Sequence, residues 1–426
     1  MKVSIAIEGC CHGELDRTYQ SIRALPKDEK PELLLITGDF QSVRNHNDLK
    51  CVSMPAKYRK LGDFQDYYTS KKKAPVLTIF IGGNHEASNY LQELKFGGWV
   101  APNIYYLGKS NVIWYKGLKI AGVTGIFNDY NFMKPSFEKV PYDQSSIRSV
   151  YHVRKLELLK FLFYERINQH KIDIFLSHDW PQHITNFGDL PKLLKAKPFF
   201  QKDIQTGRLG SPVNRVLLHK LVPRYWYSSH LHVKFEAIYI GEGEKKRNDD
   251  EIVINMDDSD DEEEEEEEEE EDDDDDDDGD EKGTTTQTRF LALDKCLPGR
   301  KFLEIETIEV GDNNSHPSYN SDELFYDETF LKVHKYFNKF TKSSEFRQIA
   351  KGTLLNESNM ELDLLLNGFK DAILKEDIPV RDLMISRDFV KEVSEHEKNF
   401  QELRPIINSQ TATFCDKFGI LFDQDW

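Results

Sequence analysis

Cysteine is scarce in this chain of 426 residues, which contains only five. The cysteines are odd in number, irregularly spaced and never arranged as a repeated Cys-x-x-Cys pair. This pattern argues against a disulfide framework and favours a reducing compartment, the cytosol or the nucleus.

Long apolar runs are also missing. No run approaches the roughly 20 residues that a helix needs to cross a bilayer. No apolar segment with a small-residue cleavage site follows Met1, so we expect neither a membrane span nor a secretory signal. The hydrophobic fraction of 38% is enough for an ordinary core, and the length allows two or three domains.

The acidity of the chain belongs to one segment. Residues 257–281 are all acidic except Ser259 and Gly279, and without these 23 negative charges the formal net charge of −19 becomes +4. The predicted folded part is therefore mildly basic, which suits an anionic substrate. The acidic run itself is interpreted as a solvated, self-repelling loop, with a binding segment for a basic protein or a mimic of nucleic acid as the sharper alternatives.

Short apolar runs rich in β-branched residues predict a series of buried strands. Because helical patterns or long crossovers separate several of them, the sequence indicates an α/β core. The predicted strands are 3–7, 32–37, 75–81, 118–124, 173–177, 225–229, 235–240, 288–293 and 302–308.

Five of these strands end in side chains that can bind metal or transfer protons, where open α/β sheets place their chemistry. Imidazole, carboxylate and amide oxygen are ligands for Zn, Fe or Mn. A carboxylate that bridges two such ions, roughly 3.5–4 Å apart, is the arrangement used in hydrolysis of phosphate esters. The residues at the strand ends are Cys10, His12, Asp39, Asn84, His85, His178, His230 and His232.

These motifs, in this order, resemble the calcineurin-like metallophosphoesterases, and within them the family of RNA lariat debranching enzymes. The stretches that carry the resemblance are 8–16, 38–41, 83–86, 148–154, 177–181, 228–232 and 288–298. The resemblance implies a sandwich of two mixed sheets flanked by helices. It also implies hydrolysis of the 2′–5′ phosphodiester at the branch point of excised intron lariats, with branched RNA as substrate, and a nuclear or also cytoplasmic location.

The resemblance also implies a role for each residue at the strand ends. Asp39 would bridge two metal sites, one completed by Asn84, His178 and His230 and the other by His12 and His232. One or two ions of Fe(II), Zn(II) or Mn(II) would be bound, and His85 would contact the scissile phosphate and protonate the leaving oxygen.

Cys10 departs from the superfamily pattern, in which an aspartate is usual, although debranching enzymes share the cysteine. It is either a soft thiolate that favours Zn or Fe, or a thiol that leaves its site weakly filled.

Aromatic and basic residues alternate in the segment 126–154, which resembles the lariat-recognition loop of the family. Unpaired bases stack on aromatic rings while Lys and Arg contact phosphates. The alternative is an ordinary surface loop whose aromatic side chains pack underneath. The predicted RNA contacts are Tyr130, Tyr142, Arg148 and Tyr151.

The chain is thus expected to contain a catalytic domain over 1–243, an acidic insertion over 244–287, a return to the core over 288–312 and a mainly helical C-terminal domain over 320–426. Two rival functions remain. Another metallophosphoesterase is disfavoured by Cys10 and, for protein phosphatases, by Phe40-Gln41 after Asp39 where that class has Asp-Arg-Gly. A non-catalytic acidic scaffold would depend on the run 257–281 and not on the strand-end residues.

Overall fold

In the computed structural model, two β-sheets pack face to face and helices cover their outer surfaces. The structure describes residues 1–168, 171–241, 287–311, 315–340, 366–370, 373, 375–394 and 403–421. The acidic run lies outside these residues, so its predicted basic partner stays a prediction. Within the described ranges, no helix is both long and apolar enough to cross a membrane.

The first sheet has six strands in the order β12-β1-β2-β3-β5-β4. Strands β1, β2, β3 and β5 run parallel, whereas β12 pairs antiparallel with β1 and β4 antiparallel with β5. The strands are β1 (Lys2–Glu8), β2 (Leu33–Ile36), β3 (Leu77–Phe80), β4 (Gly98–Ala101), β5 (Ile104–Tyr106) and β12 (Leu303–Glu309).

The second sheet has seven strands in the order β10-β11-β9-β8-β7-β6-β13. Its four central strands β11, β9, β8 and β7 are parallel, and the outer pairs are antiparallel. The strands are β6 (Ser110–Tyr115), β7 (Leu118–Val123), β8 (Ile174–Ser177), β9 (Tyr225–Ser228), β10 (Phe235–Ile240), β11 (Gln287–Ala292) and β13 (Phe325–Tyr326).

Apolar side chains on both faces of the strands explain why the two sheets stack. Val3, Ile5 and Ile7 of β1 point into the core between the sheets, whereas Ala6 points to the opposite face. Because successive side chains of a strand face opposite sides, one strand supplies two cores. The outer face of the first sheet packs on the helices Leu15–Ala24, Phe64–Tyr68 and Ser88–Glu93, and that of the second on the helices Lys155–Ile167 and Pro212–Leu221. This is the two-sheet α/β sandwich that the sequence resemblance implies.

The helices are short and lie mostly between strands. The first helix, α1, ends before Pro26, because the residue before a proline is driven out of the helical region. The α-helices are α1 (Leu15–Ala24), α2 (Phe64–Tyr68), α3 (Ser88–Glu93), α4 (Asp129–Phe132), α5 (Ser146–Ser149), α6 (Lys155–Ile167), α7 (Leu190–Ala196), α8 (Phe200–Gln205), α9 (Pro212–Leu221), α10 (Glu328–Phe337), α11 (Val380–Leu383) and α12 (Ser409–Phe418). Single 3₁₀ turns are Lys27–Glu29, Asp48–Cys51, Ala56–Tyr58, Ile184–Phe187, Pro317–Asn320 and Asn338–Phe340.

The described part of the C-terminal region contains the helices α10, α11 and α12 together with non-helical segments. It adds β13 to the second sheet, and its described residues 384–394 and 403–408 are not helical. Residues 390–394 are therefore not helical, although they belong to the range 320–426 for which the sequence predicts a mainly helical domain. Phe330 of α10 joins the main core, while Phe414 of α12 stacks on Phe96 with ring centroids 5.0 Å apart. Packing against the sheets thus holds this region in place.

Candidate metal centre

The carboxyl ends of β1, β2, β3, β8 and β9 meet at one edge of the sandwich, and the loops that leave them carry the predicted metal ligands and His85. His12 N donates to the Asp39 carbonyl oxygen at 2.6 Å, which joins the loops after β1 and β2. His85 N donates to Asp39 Oδ1 at 2.8 Å, which adds the loop after β3. His178 comes against Gly38, where an added Cβ would lie 2.2 Å from its Nδ1.

Four of the predicted ligands form one cluster. One ligand atom from each of Cys10, His12, Asp39 and His232 lies within 4.8 Å of the others. His12 Nε2 is 3.3 Å from His232 Nε2 and 3.6 Å from Asp39 Oδ2. The predicted second site is thereby assembled together with Cys10.

The other oxygen of Asp39 faces the other predicted site. His178 Nε2 is 3.5 Å from Asp39 Oδ1 and 3.2 Å from Asn84 Oδ1. The ring of His230 follows, with its centroid 5.0 Å from that of His178. Asp39 therefore lies between the two groups of predicted ligands, which is the position expected of a bridging carboxylate.

Hydrogen bonds fix the orientation of two imidazoles. His178 Nδ1 is 2.9 Å from the carbonyl oxygen of Thr37, and His85 Nδ1 is 2.9 Å from that of Ser53. Because a carbonyl oxygen only accepts, Nδ1 carries the hydrogen in both rings. Nε2 of His178 is then left with a lone pair directed at Asn84 and Asp39, which is the state needed of a metal ligand.

The backbone of the site is strained. Left-handed φ angles, which non-glycine residues rarely adopt, occur at four of the predicted ligands and at Gln41. Such conformations cost about 1–3 kcal/mol each and cluster at functional sites. The residues are His12 (50°), Asp39 (49°), Gln41 (62°), His230 (59°) and His232 (52°).

Glu86 holds two of the loops together, a role that the sequence interpretation missed. It is buried, and its carboxylate accepts hydrogen bonds from Phe40 N and Gln41 N at 2.8 Å and from Gly83 N at 3.0 Å. Burial and the neighbouring Asp39 raise the pKa of Glu86 to about 8, against the effect of the three N–H donors. The signal available in the sequence was an acidic residue directly after Asn84-His85 in an otherwise buried loop.

The pKa values of the clustered side chains favour the binding of cations. Burial raises the pKa of Asp39, but His178, His12 and His85 outweigh it and hold that pKa well below its usual range. Burial lowers the pKa of His178 to about 4 and that of His232 to about 3. An ionised carboxylate among neutral imidazoles is the protonation state that binds divalent metal.

Cys10 is the exception in this group. Burial and the charge of Asp39 raise the pKa of its thiol well above the usual value. His230 N donates to Cys10 Sγ at 3.2 Å, which favours the thiolate in part. The donor set of nitrogen, oxygen and sulfur fits a divalent ion of borderline hardness.

Comparisons with known proteins agree with this geometry. The family described as calcineurin-like phosphoesterase matches residues 3–234, and the C-terminal domain of lariat debranching enzyme matches residues 285–422. The chain is 39% identical to the lariat debranching enzyme of Gallus gallus, covering 98% of this chain and 70% of that protein. It is 39% identical to that of Homo sapiens (98% and 69%) and 44% identical to that of Drosophila melanogaster (98% and 78%). The chain belongs to the lariat debranching enzyme family.

Membership in the debranching-enzyme family makes the chain a metal-dependent phosphoesterase of the α/β class. The segment 126–154, which resembles the lariat-recognition loop of this family, lies beside the metal centre. An open groove there is lined by Tyr130, Lys134, Phe137, Arg148 and His152, among others.

The predicted RNA contacts differ in their access to this groove. Tyr130 is 77% exposed, and Arg148 is also exposed. Tyr151 is half-buried, with its hydroxyl 3.5 Å from Ser53 Oγ. Tyr142 instead turns its hydroxyl inward to donate to Gln92 Oε1. The four contacts stay predictions, and the structure favours Tyr130 and Arg148 over Tyr142.

Arg148→Gln and Tyr130→Ala are expected to weaken binding of branched RNA while cleavage of a small phosphodiester stays unchanged. Base stacking on an aromatic ring contributes about 1–3 kcal/mol, so Tyr130→Ala should raise the Kd roughly fivefold to a hundredfold. Filter binding and hydrolysis of bis-p-nitrophenyl phosphate measure the two effects. Tyr142→Phe is the control, because it removes only the inward hydroxyl. Equal losses on both substrates would count against RNA contact.

Proposed function

We propose that this centre hydrolyses the 2′–5′ phosphodiester at the branch point of intron lariats, converting the lariat to linear RNA. The observation that carries the proposal is Asp39, which faces a ligand group on each side and accepts a hydrogen bond from His85 N. The groove along 126–154 supports a substrate with splayed, unpaired bases, since such bases stack on exposed aromatic rings.

The ligands of the centre would be Cys10, His12, Asp39 and His232 on one side and Asp39, Asn84, His178 and His230 on the other. We propose one or two ions of Fe(II), Zn(II) or Mn(II), a choice supported by the mixed nitrogen, oxygen and sulfur donors. When bound, such ions supply Lewis acidity that activates water and neutralises phosphoryl oxygens. Elemental analysis of the purified protein distinguishes the three metals.

We assign the proton transfer of the reaction to His85. Its Nδ1–H is held by the Ser53 carbonyl oxygen, and its ring centroid lies 5.8 Å from that of His12. Nε2 is therefore the atom that can carry a proton to the leaving 2′-oxygen of the branch nucleotide. Release of that oxygen as a hydroxyl leaves a 5′-phosphate on the other product. A positioned imidazole of this kind contributes about 10²–10⁴-fold to a rate.

We further propose a nuclear location, with the cytoplasm as a second one, because excised introns are produced in the nucleus and the scarce, unpatterned cysteines suit a reducing compartment.

A synthetic RNA with one 2′–5′ branch is expected to be cleaved at the branch, while a linear 3′–5′ RNA of the same sequence stays intact. His85→Asn should lower the rate by about 10²–10⁴-fold with unchanged metal content, since His85 acts through its imidazole and not as a metal ligand. His183→Asn is the matched control: His183 has a φ of 65°, which asparagine also adopts. Gel analysis of end-labelled products measures the rates.

The same assay separates the rival functions. Equal cleavage of branched and linear RNA would contradict the specific function and leave a general phosphodiesterase. Deletion of residues 257–281 should leave branch cleavage intact. If that deletion abolished function while His85→Asn was silent, the chain would be an acidic scaffold.

A further inference from the structure

A second cavity lies apart from the metal ligands, between the segment 135–139, helix α6 and helix α10. Its volume is about 130 Å³, and none of the predicted metal ligands lines it. A cavity of about 150 Å³ holds a molecule as large as benzene. The space is therefore enough for a tetrahedral oxyanion such as phosphate.

Positive charge dominates the walls of this cavity. Two carboxylates, Glu138 and Glu157, also line it, so the formal charge of the lining is +3 with histidine neutral. Both carboxylates are already engaged: Glu138 accepts from Arg154 and Ser149, and Glu157 accepts from Lys160 and Ser110. The cationic lining residues are Lys95, Lys109, Lys139, Arg154 and Lys160.

Two buried side chains of the lining have nitrogen atoms that make no hydrogen bond to the described residues. His334 of α10 is 1% exposed, and although the backbone of Ser110 lies near its ring, neither ring nitrogen makes a hydrogen bond of good geometry within the described part of the chain. Its ring packs edge-on against Phe96 and Phe330, with centroids 5.4 and 4.8 Å away. Arg154 Nε is likewise buried and unpaired, although the other guanidinium nitrogens are bonded. A buried polar group left unpaired costs about 1–3 kcal/mol, so such groups are normally satisfied.

We propose that this cavity binds a phosphate-sized oxyanion, held by His334, Arg154 and the lysines of the lining. An anion accepts hydrogen bonds from the unpaired N–H groups and also compensates the excess positive charge, whereas a neutral water molecule leaves that charge uncompensated. The phosphoryl group could belong to free phosphate or to the 5′-phosphate of an RNA end, since both present the same oxygens.

An anion in this cavity would contact the segment 126–154, which contains the predicted RNA contacts and is called the RNA-facing segment below. The cavity joins residues 135–139 to α10, which lies in the part of the chain that matches the debranching-enzyme C-terminal domain. A neighbouring cavity shares Lys109, Arg154 and Glu157 with it and extends to Gly83 and Glu86 behind the metal centre. An anion in the first cavity would therefore fix the RNA-facing segment relative to both parts of the chain.

Calorimetric titration of the metal-loaded full chain with inorganic phosphate tests the proposal. A metal centre that cleaves phosphodiesters is expected to bind phosphate as well, so the wild type should show two sites. His334→Phe should retain the metal-centre site and weaken the other by about tenfold or more, which corresponds to 1.4 kcal/mol. The variant should be at least as stable as wild type without phosphate, because phenylalanine keeps the ring and removes two unpaired buried groups.

Variants of exposed residues test phosphate binding without changing a buried side chain. Lys139→Gln changes an exposed lining lysine and should also weaken the second site, whereas Lys202→Gln, an exposed lysine elsewhere, should not. A 5′-phosphorylated trinucleotide and its unphosphorylated form distinguish the two sources of the phosphoryl group. Superimposable titrations of wild type, His334→Phe and Lys139→Gln would show that phosphate binds only at the metal centre and would overturn the proposal. Branch cleavage is not its readout, so failure here leaves the proposed function standing.

Discussion

Alanine in place of Gly83 is expected to reduce branch cleavage by about a hundredfold or more, since displacement of a reacting centre by about 1 Å has that effect. A Cβ at this position would lie 2.4 Å from Asp39 Oδ1, 2.6 Å from Asp39 N and 2.7 Å from His178 Cε1. Cβ atoms essentially never approach other heavy atoms so closely. Asp39 must therefore move, and with it the carboxylate shared by both ligand groups.

The Gly83→Ala variant should also lose metal, because its ligand geometry changes in both groups together. Rates on branched RNA and metal content of the purified protein measure the two effects. Gly311→Ala is the matched control, since a Cβ there would meet no atom within 4 Å. Full activity of Gly83→Ala would mean that Asp39 is not held where the structure places it.

Glu86→Ala is expected to lower the free energy of unfolding by about 3 kcal/mol or more, since each buried group left without a hydrogen-bond partner costs about 1–3 kcal/mol. Three backbone N–H groups, those of Phe40, Gln41 and Gly83, would lose their acceptor in a buried loop. The loops after β2 and β3 would no longer be tied together, so metal binding should weaken as well.

Urea denaturation and metal content measure the effect of Glu86→Ala. The free energy of unfolding of Glu86→Gln should lie between those of the wild type and Glu86→Ala. The amide oxygen of glutamine still accepts a hydrogen bond, whereas its NH₂ group faces an N–H donor. Glu236→Ala removes a carboxylate from the exposed side of β10 and serves as the control. A Glu86→Ala protein as stable as this control would show that the three N–H groups find other acceptors.

The sequence predicted the strands that deliver the ligands because each is a short β-branched or apolar run that ends near a glycine or a histidine. It did not predict Gly98–Ala101, Ile104–Tyr106 or Ser110–Tyr115. These strands are short, the first begins with glycine, and a tight turn at Pro102-Asn103 separates the first two. Their conformation depends on pairing with neighbours, which local propensity does not show.

At the site, residue types and order predicted which side chains would meet but not how the backbone presents them. His12, Asp39 and His232 adopt left-handed φ angles that their residue types usually avoid, so local preference opposed the observed structure. The role of Glu86 depends on which N–H groups face it. Likewise, the unpaired state of His334 depends on packing between α10 and residues distant in sequence.

The pairing of β1 with β12 bears on how the chain acquires its structure during synthesis. Lys2 pairs with Glu309 and Glu8 with Leu303. The first strand to be synthesised therefore stays unpaired on this side until about 300 further residues have been added. Until then the edge of β1 exposes unpaired backbone groups, which is a hazard for aggregation. Long-range pairing of this kind slows folding. A fragment that stops before β11 would lack strands of both sheets, so the segment that follows the acidic run is required for a complete catalytic sandwich.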